Sequence, residues 1–350
     1  MTKNHRGLKI FLKILKNGVV LIFLIAILEY LVIPKLTGAK KSINLISRAN
    51  FALVIVAICA EAAALMAYTL LFRSLMHNKS LKFPTLLNIN LSTLSLSHIL
   101  PGGTAPSSAL SYRLLTTQGV TNSDATFSIA TSGIGSAGIL NLILWLALLI
   151  SIPFRSVKNP LYALAAIVGS LLIGLIAVGI LLLTHGEEFV VVYARKISTK
   201  IPFADPDKIE GFLRNIAQRI DDLLKDKDLL IRSLIWASAN WLLDATCLWL
   251  FIAAFGDLMS PIDVLVAYGL ANVLAAIPIT PGGLGVIEGV LIPTIHGFGA
   301  SANVALVAVL SYRLINFWLP IPVGGFSYLM LKIQARRKGI DITKDAPSPA

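Results

Sequence analysis

This chain has little charge. Asp, Glu, Lys and Arg make up 14% of its 350 residues, against 56% hydrophobic. Mean hydropathy is +0.80, more apolar than a soluble core of this length needs. Cysteine is scarce: only Cys59 and Cys247, both inside apolar runs. That excludes a disulfide framework and a thiolate metal site, and both residues read as small buried hydrophobes. The five histidines, at positions 5, 77, 98, 185 and 296, lack metal-ligand spacing. There is no Gly-x-Ser-x-Gly and no P-loop. The largest polar stretch, 186–232, is too small for a separate catalytic domain. The chain therefore reads as a non-enzyme with no cofactor and no metal.

What the chain has in abundance is long runs almost free of charge. They cover 18–34, 49–72, 125–152, 160–184, 233–256 and 300–331. Each is near or above the roughly 17–25 residues that span a hydrocarbon core. Two further segments, 84–115 and 261–299, are apolar but interrupted by Pro, Gly and Ser, and each contains a Pro-Gly-Gly, at 101–103 and 281–283. A broken backbone at membrane depth is tolerated only where protein buries it or a wet cavity borders it. Paired breaks in two halves of a chain point to a transporter's central site. The basic N-terminus and first apolar run show no small-residue cleavage site before Pro34, so the first helix is expected to be retained.

The net charge of +12 comes from basic loops, which orient a membrane protein, and not from a nucleic-acid surface. Residues 1–17 hold five Lys/Arg, 35–48 four, 73–82 three, 153–159 two, 186–232 nine and 332–350 five. With a cytoplasmic N-terminus, inside loops carry 22 basic residues and outside loops six. The count requires 84–115 and 261–299 each to enter and leave on one side, the first from the cytoplasm and the second from outside. The expected fold is an all-α polytopic membrane protein: about six full spans plus two re-entrant helical hairpins of opposite orientation, forming an inverted repeat. The alternative is eight or more full, kinked spans. Its parts are a basic cytoplasmic N-terminus (1–17), a first membrane half (18–185), a cytoplasmic loop (186–232), a second membrane half (233–332) and a cytoplasmic tail (333–350). Within the loop, 207–225 has the spacing of an amphipathic helix.

Twenty-eight of the thirty Lys/Arg residues lie in loops; Arg113 and Arg313 do not. An ionisable group at membrane depth marks a function or a pair. A guanidinium offers a fork of donors suited to lipid phosphate; the alternative is a structural ion pair with Glu61, Asp244 or Glu288. Glu288 follows Gly283 by five residues and either holds the turn, pairs with an arginine or meets a cationic headgroup. Gly102, Gly103, Gly282 and Gly283 leave backbone open to close approach. Glu61 and Asp244 precede their Pro-Gly-Gly by 40 and 37 residues, and serve either as proton-relay groups or in interhelical hydrogen bonds. The first hairpin carries Asn88, Asn90, Ser92, Ser95 and His98, then Thr104, Ser107, Ser108 and Ser111. That is either a cavity lining or small-residue packing.

Pro281-Gly-Gly-Leu-Gly-x-x-Glu288, with Asn272 before it, Arg313 after it and the earlier Pro101-Gly-Gly…Arg113, resembles the lysylphosphatidylglycerol synthase transmembrane-region family over roughly 15–335. The resemblance implies movement of lipids between leaflets and re-entrant segments entering from opposite faces. In the multiple peptide resistance factor of that family a soluble aminoacyl-transfer domain follows the membrane part; here it is expected to be absent. The expected function is a lipid flippase in the cytoplasmic membrane of a prokaryote. Its partners would be membrane lipids, with a separate lipid-modifying transferase or an oligomer also open. The rivals are a gradient-driven carrier of a small anion and a non-catalytic subunit of a lipid-modification system.

Overall fold

The computed structural model describes residues 45–76, 81–100, 102–151, 225–275 and 280–337, with isolated helical positions at 167, 170, 171, 174, 178, 214 and 218. The expected spans 18–34 and 160–184 and the amphipathic stretch 207–225 otherwise lie outside the described residues.

The described residues are helical, with no strand among them. The elements are α1 (Phe51–Leu75), α2 (Phe83–Ile99), α3 (Thr104–Thr117), α4 (Asn122–Ser151), α5 (Lys227–Ala254), α6 (Pro261–Ala275), a 3₁₀ turn (Pro281–Gly283), α7 (Val286–Gly297), α8 (Ala302–Arg313), a π segment (Leu314–Trp318) and α9 (Pro320–Arg337). Polar caps start several of them. The Asn50 side chain accepts from Ala52 N–H at 3.1 Å, Asp226 from Leu229 N–H at 3.0 Å and Ser301 from Val304 N–H at 3.4 Å. Pro84 opens α2, where a missing N–H costs nothing. The string Gly133-Ile-Gly-Ser-Ala-Gly138 resembles a dinucleotide fingerprint. It lies in the interior of α4, with no strand before it, so the loop such binding needs is not there.

Four helices are long and apolar enough to cross a membrane: α1, α4, α5 and the continuous run Ala302–Arg337 made by α8, the π segment and α9. The expected span 300–331 thus carries a π segment in its middle. Pro320 and Pro322 lack the N–H groups a regular ladder needs, and the widened turn at 314–318 directly precedes them. The interrupted segments each form two short helices about a break: α2 and α3 around 100–103, and α6 and α7 around 276–285.

Packing follows a pattern that survives exchange of the two halves. The helices before each break, α1 and α5, pack along each other. The first arm of the first hairpin, α2, lies on α9 of the second half; the first arm of the second, α6, lies on α4 of the first half. The two largest apolar clusters follow from this. One joins Ala57 and Ala60 of α1 to Leu248, Tyr268 and Ala305; the other joins Phe72 of α1, and Met76 just past its end, to Leu86, Leu115 and Leu331. Between them α1 presents Glu61, Tyr68 and Thr69. The outer faces stay apolar: Phe51, Ile134 and Phe326 are each at least 64% exposed. Such a surface is stable in lipid and not in water.

Candidate functional site

The second break is built around one buried ion pair. Gly285 begins α7, and Glu288 at the third helical position turns back so that Oε2 accepts the Gly285 N–H at 2.6 Å. Its other oxygen, Oε1, pairs with Nε of Arg313 at the end of α8. Nη2 of the same arginine donates to the Gly282 carbonyl at 3.2 Å, and the guanidinium carbon lies 4.5 Å from the Phe317 ring centroid. Arg313 is 1% exposed. Gly282 has φ +51, and a Cβ there would lie 2.3 Å from the Phe317 ring. No other residue type fits that turn without displacing the ring.

The first hairpin reaches the same ring. His98, near the end of α2, stacks on Phe317 with centroids 4.5 Å apart, and its Nδ1 donates to the Phe317 carbonyl at 3.0 Å. A Cβ on Gly282 would come within 3.2 Å of His98 as well. Phe317 is therefore the post on which both broken segments rest. Gly103 backs onto the Ser97 carbonyl, where a Cβ would come within 2.2 Å, while Gly102, at φ +63, has open space around it.

Beside this junction lies a cavity of about 310 Å³, bounded by α1, α2, α3, α4, α5, α6 and the π segment. Its polar lining includes Glu61, Asn90, His98, Asp244, Asn272 and Asn316. The Asn316 amide nitrogen donates to Glu61 Oε1 and to Asp244 Oδ1, 3.1 Å each. The Tyr268 hydroxyl donates to Asp244 Oδ2 at 2.6 Å. Glu61 and Asp244 are 4% and 8% exposed. Asn272 donates to the Tyr268 carbonyl at 3.0 Å, and Asn90 to Thr69 Oγ1 at 3.2 Å. Among the described residues that line the cavity none is Lys or Arg.

Of the expected site residues, Glu61, Asp244, His98 and Asn272 line this one space. Arg313, Glu288, Gly282 and Gly283 form the wall behind it, joined through Phe317. Of the two readings for Arg313, the structure has the ion pair, with Glu288. Arg113 stands apart on α3, half-buried, and its Nε has no hydrogen-bond partner among the described residues. The polar residues of the first hairpin divide between both alternatives. Asn90, His98 and Ser107 face the cavity, whereas Ser95 donates to the Ile321 carbonyl of α9 at 2.8 Å and Ser92 to its own helix. Asn316, Tyr268 and Phe317 were not among the expected site residues. Asn316 carried a signal: a lone amide in a spanning run, three positions after Arg313 and so on a neighbouring face.

Apolar outer faces, several long spanning helices and a polar cavity where two broken segments meet define a polytopic helical membrane protein with an internal polar site. The chain belongs to the lysylphosphatidylglycerol synthase TM region family, which it matches over residues 17–324. It is 28% identical over 117 residues to a UPF0104 membrane protein of Methanothermobacter thermautotrophicus, covering 33% of this chain and 35% of that one. It is 27% identical over 107 residues to inner membrane protein YbhN of Escherichia coli, covering 31% and 33%. A UPF0104 membrane protein of Pyrococcus horikoshii is 25% identical over 123 residues, covering 35% and 37%. Each match spans about a third of the relative's length. The family points to a role connected with membrane lipid.

Proposed function

We propose that this protein moves a lipid with a phosphate-bearing or modified headgroup between membrane leaflets. The observation that carries the reading is the position of the cavity, bordered by spanning helices and by the arms of both broken segments. A polar headgroup loses several kcal/mol for each hydrogen bond it gives up in hydrocarbon. Amides, hydroxyls and carboxyls in the cavity wall replace those bonds. About 310 Å³ suits a headgroup rather than a whole lipid, so the acyl chains stay in the bilayer.

Arg113 is the cation we assign to the lipid phosphate, because Arg313 is committed to Glu288, the Gly282 carbonyl and Phe317. The exchange of packing partners between the halves supports an inverted repeat, with the two hairpins entering from opposite faces. The loop-charge bias supports cytoplasmic termini in a prokaryotic cytoplasmic membrane.

The test is reconstitution into vesicles of phosphatidylethanolamine and phosphatidylglycerol carrying a trace of headgroup-intact fluorescent phosphatidylglycerol. Leaflet exchange is read by quenching of the outer leaflet. The protein should accelerate exchange well beyond empty vesicles, and Arg113→Gln should slow it about tenfold, equivalent to ~1.4 kcal/mol of lost headgroup binding in the barrier, while eluting as folded protein. Unaltered exchange in vesicles containing the wild-type protein would sink the reading.

A further inference from the structure

Among the described residues, the cavity is lined by two acids and by no Lys or Arg. α1 and α5 occupy equivalent places before the two breaks, and each contributes one carboxyl, Glu61 and Asp244. The Asn316 amide spends both its N–H groups, one on each acid, and the Tyr268 hydroxyl takes Asp244 Oδ2. Glu61 Oε2 is left buried with no hydrogen-bond partner among the described residues. An unmade hydrogen bond there is costly, and more so for an ionised group.

Among the described residues nothing nearby neutralises a second charge. The groups facing the pair are Tyr268 of α6, Tyr312 of α8 and Cys247 of α5, all uncharged donors. His98 of α2 spends its Nδ1 on the Phe317 carbonyl. Arg313 also faces the pair, but its charge is matched by Glu288. The two carboxyls share one donor nitrogen, Asn316 Nδ2, at 3.1 Å each, so they sit as close neighbours, and two like charges held that way repel unless a proton neutralises one of them. A proton on Glu61 Oε2 supplies the missing hydrogen bond and removes one of two like charges from a low-dielectric site.

We propose that Glu61 and Asp244 together hold one exchangeable proton, and that this proton is the ion coupled to lipid movement. The coupling rests on the lipid-transport reading above; the proton site itself does not. The proton binds at Glu61 from the cavity and leaves to the cavity, with no other bond made or broken. Carried with an anionic phospholipid, it makes the translocated pair neutral.

Two measurements test this on the purified full chain. In the vesicles described above, with membrane potential clamped by potassium and valinomycin, a gradient of one pH unit should skew the steady-state leaflet distribution of fluorescent phosphatidylglycerol. One-to-one coupling gives a skew of about tenfold. Glu61→Gln and Asp244→Asn should lose the skew, measured against each variant's own rate of exchange. A distribution insensitive to the gradient in wild-type vesicles that do exchange lipid overturns the coupling and leaves lipid transport standing. A skew set by a sodium gradient instead also overturns it. Should the vesicles show no exchange at all, the lipid reading and the coupling fall together.

The site is tested apart from transport by infrared spectra of wild-type protein labelled with carbon-13 glutamate. A protonated-carboxyl band that shifts with the label at neutral pH is expected, and its absence overturns the proton site. That readout needs no variant, so a misfolded Glu61→Gln cannot leave the question open.

Discussion

Two interruptions with the same Pro-Gly-Gly text are held in different ways. The second is fixed by its own half: Glu288 caps α7, Arg313 clamps Glu288 and the Gly282 carbonyl, and Phe317 fills the space a Cβ would need. The first is fixed by the other half. Ser95 and His98 of α2 donate to the Ile321 and Phe317 carbonyls, and a Cβ on Gly324 of α9 would fall 2.1 Å from the Leu91 carbonyl. One break is thus a self-braced post, and the other is an arm clamped to it. An arm held by interface contacts can move as a body, whereas a post braced by a buried ion pair cannot move without breaking it.

The largest expected effect falls on the post. Arg313→Met leaves Glu288 buried and unpaired, and Glu288→Met does the same to Arg313. Each should cost about 3–5 kcal/mol, read as a large fall in thermal midpoint in detergent or as loss of folded protein. The double variant should recover much of the loss, because two apolar side chains bury well where one stranded charge does not. Arg113→Met, on the first hairpin, should cost less than about 1 kcal/mol, since that guanidinium is only half-buried and its Nε has no hydrogen-bond partner among the described residues. Equal losses at the two arginines would erase the contrast.

The paired glycines give the next effect. Gly282→Ala meets both a positive φ and the Phe317 ring at 2.3 Å, whereas Gly102→Ala meets a positive φ and open space. The first should cost about 2–4 kcal/mol, combining backbone strain with overpacking, and the second only about 1–2 kcal/mol. The measurement is the same melting series. A ranking of Gly102→Ala below Gly282→Ala in stability would show that the first turn is the tighter one.

Much of the fold was legible in the sequence because the bilayer imposes a simple rule: charge-free runs of spanning length become spans. The run 49–72 became Phe51–Leu75, and 125–152 became Asn122–Ser151. The run 233–256 became Lys227–Ala254, beginning earlier because the helix extends past its apolar stretch to the cap at Asp226. The two breaks were also legible, since Pro and Gly write them locally. Partner choice was not. Arg313 had three candidate acids, and the winner was set by where α7 and α8 meet, which no local pattern records. The carboxyls of Glu61 and Asp244 showed matched spacing before their breaks, yet the residue that joins them, Asn316, sits 255 and 72 positions away. The π segment at 314–318 had its signal in Pro320 and Pro322, but a proline pair predicts a distortion without saying which carbonyls a neighbour will take up.

The smallest effect tests the clamp on the arm. His98 makes two separable contacts with one residue: its ring stacks on the Phe317 ring, and its Nδ1 donates to the Phe317 carbonyl. His98→Phe keeps a flat ring and removes the donor. Interhelical hydrogen bonds in membrane proteins average about 0.6 kcal/mol, so the melting midpoint should fall only slightly. His98→Ala removes the stack as well and should cost about 0.5–1.5 kcal/mol more. If the arm is held mainly by ring packing, Phe will restore nearly all that Ala loses. If Phe is as damaging as Ala, the carbonyl bond is the true clamp, and the first hairpin is tied to the π-segment backbone rather than to the Phe317 side chain.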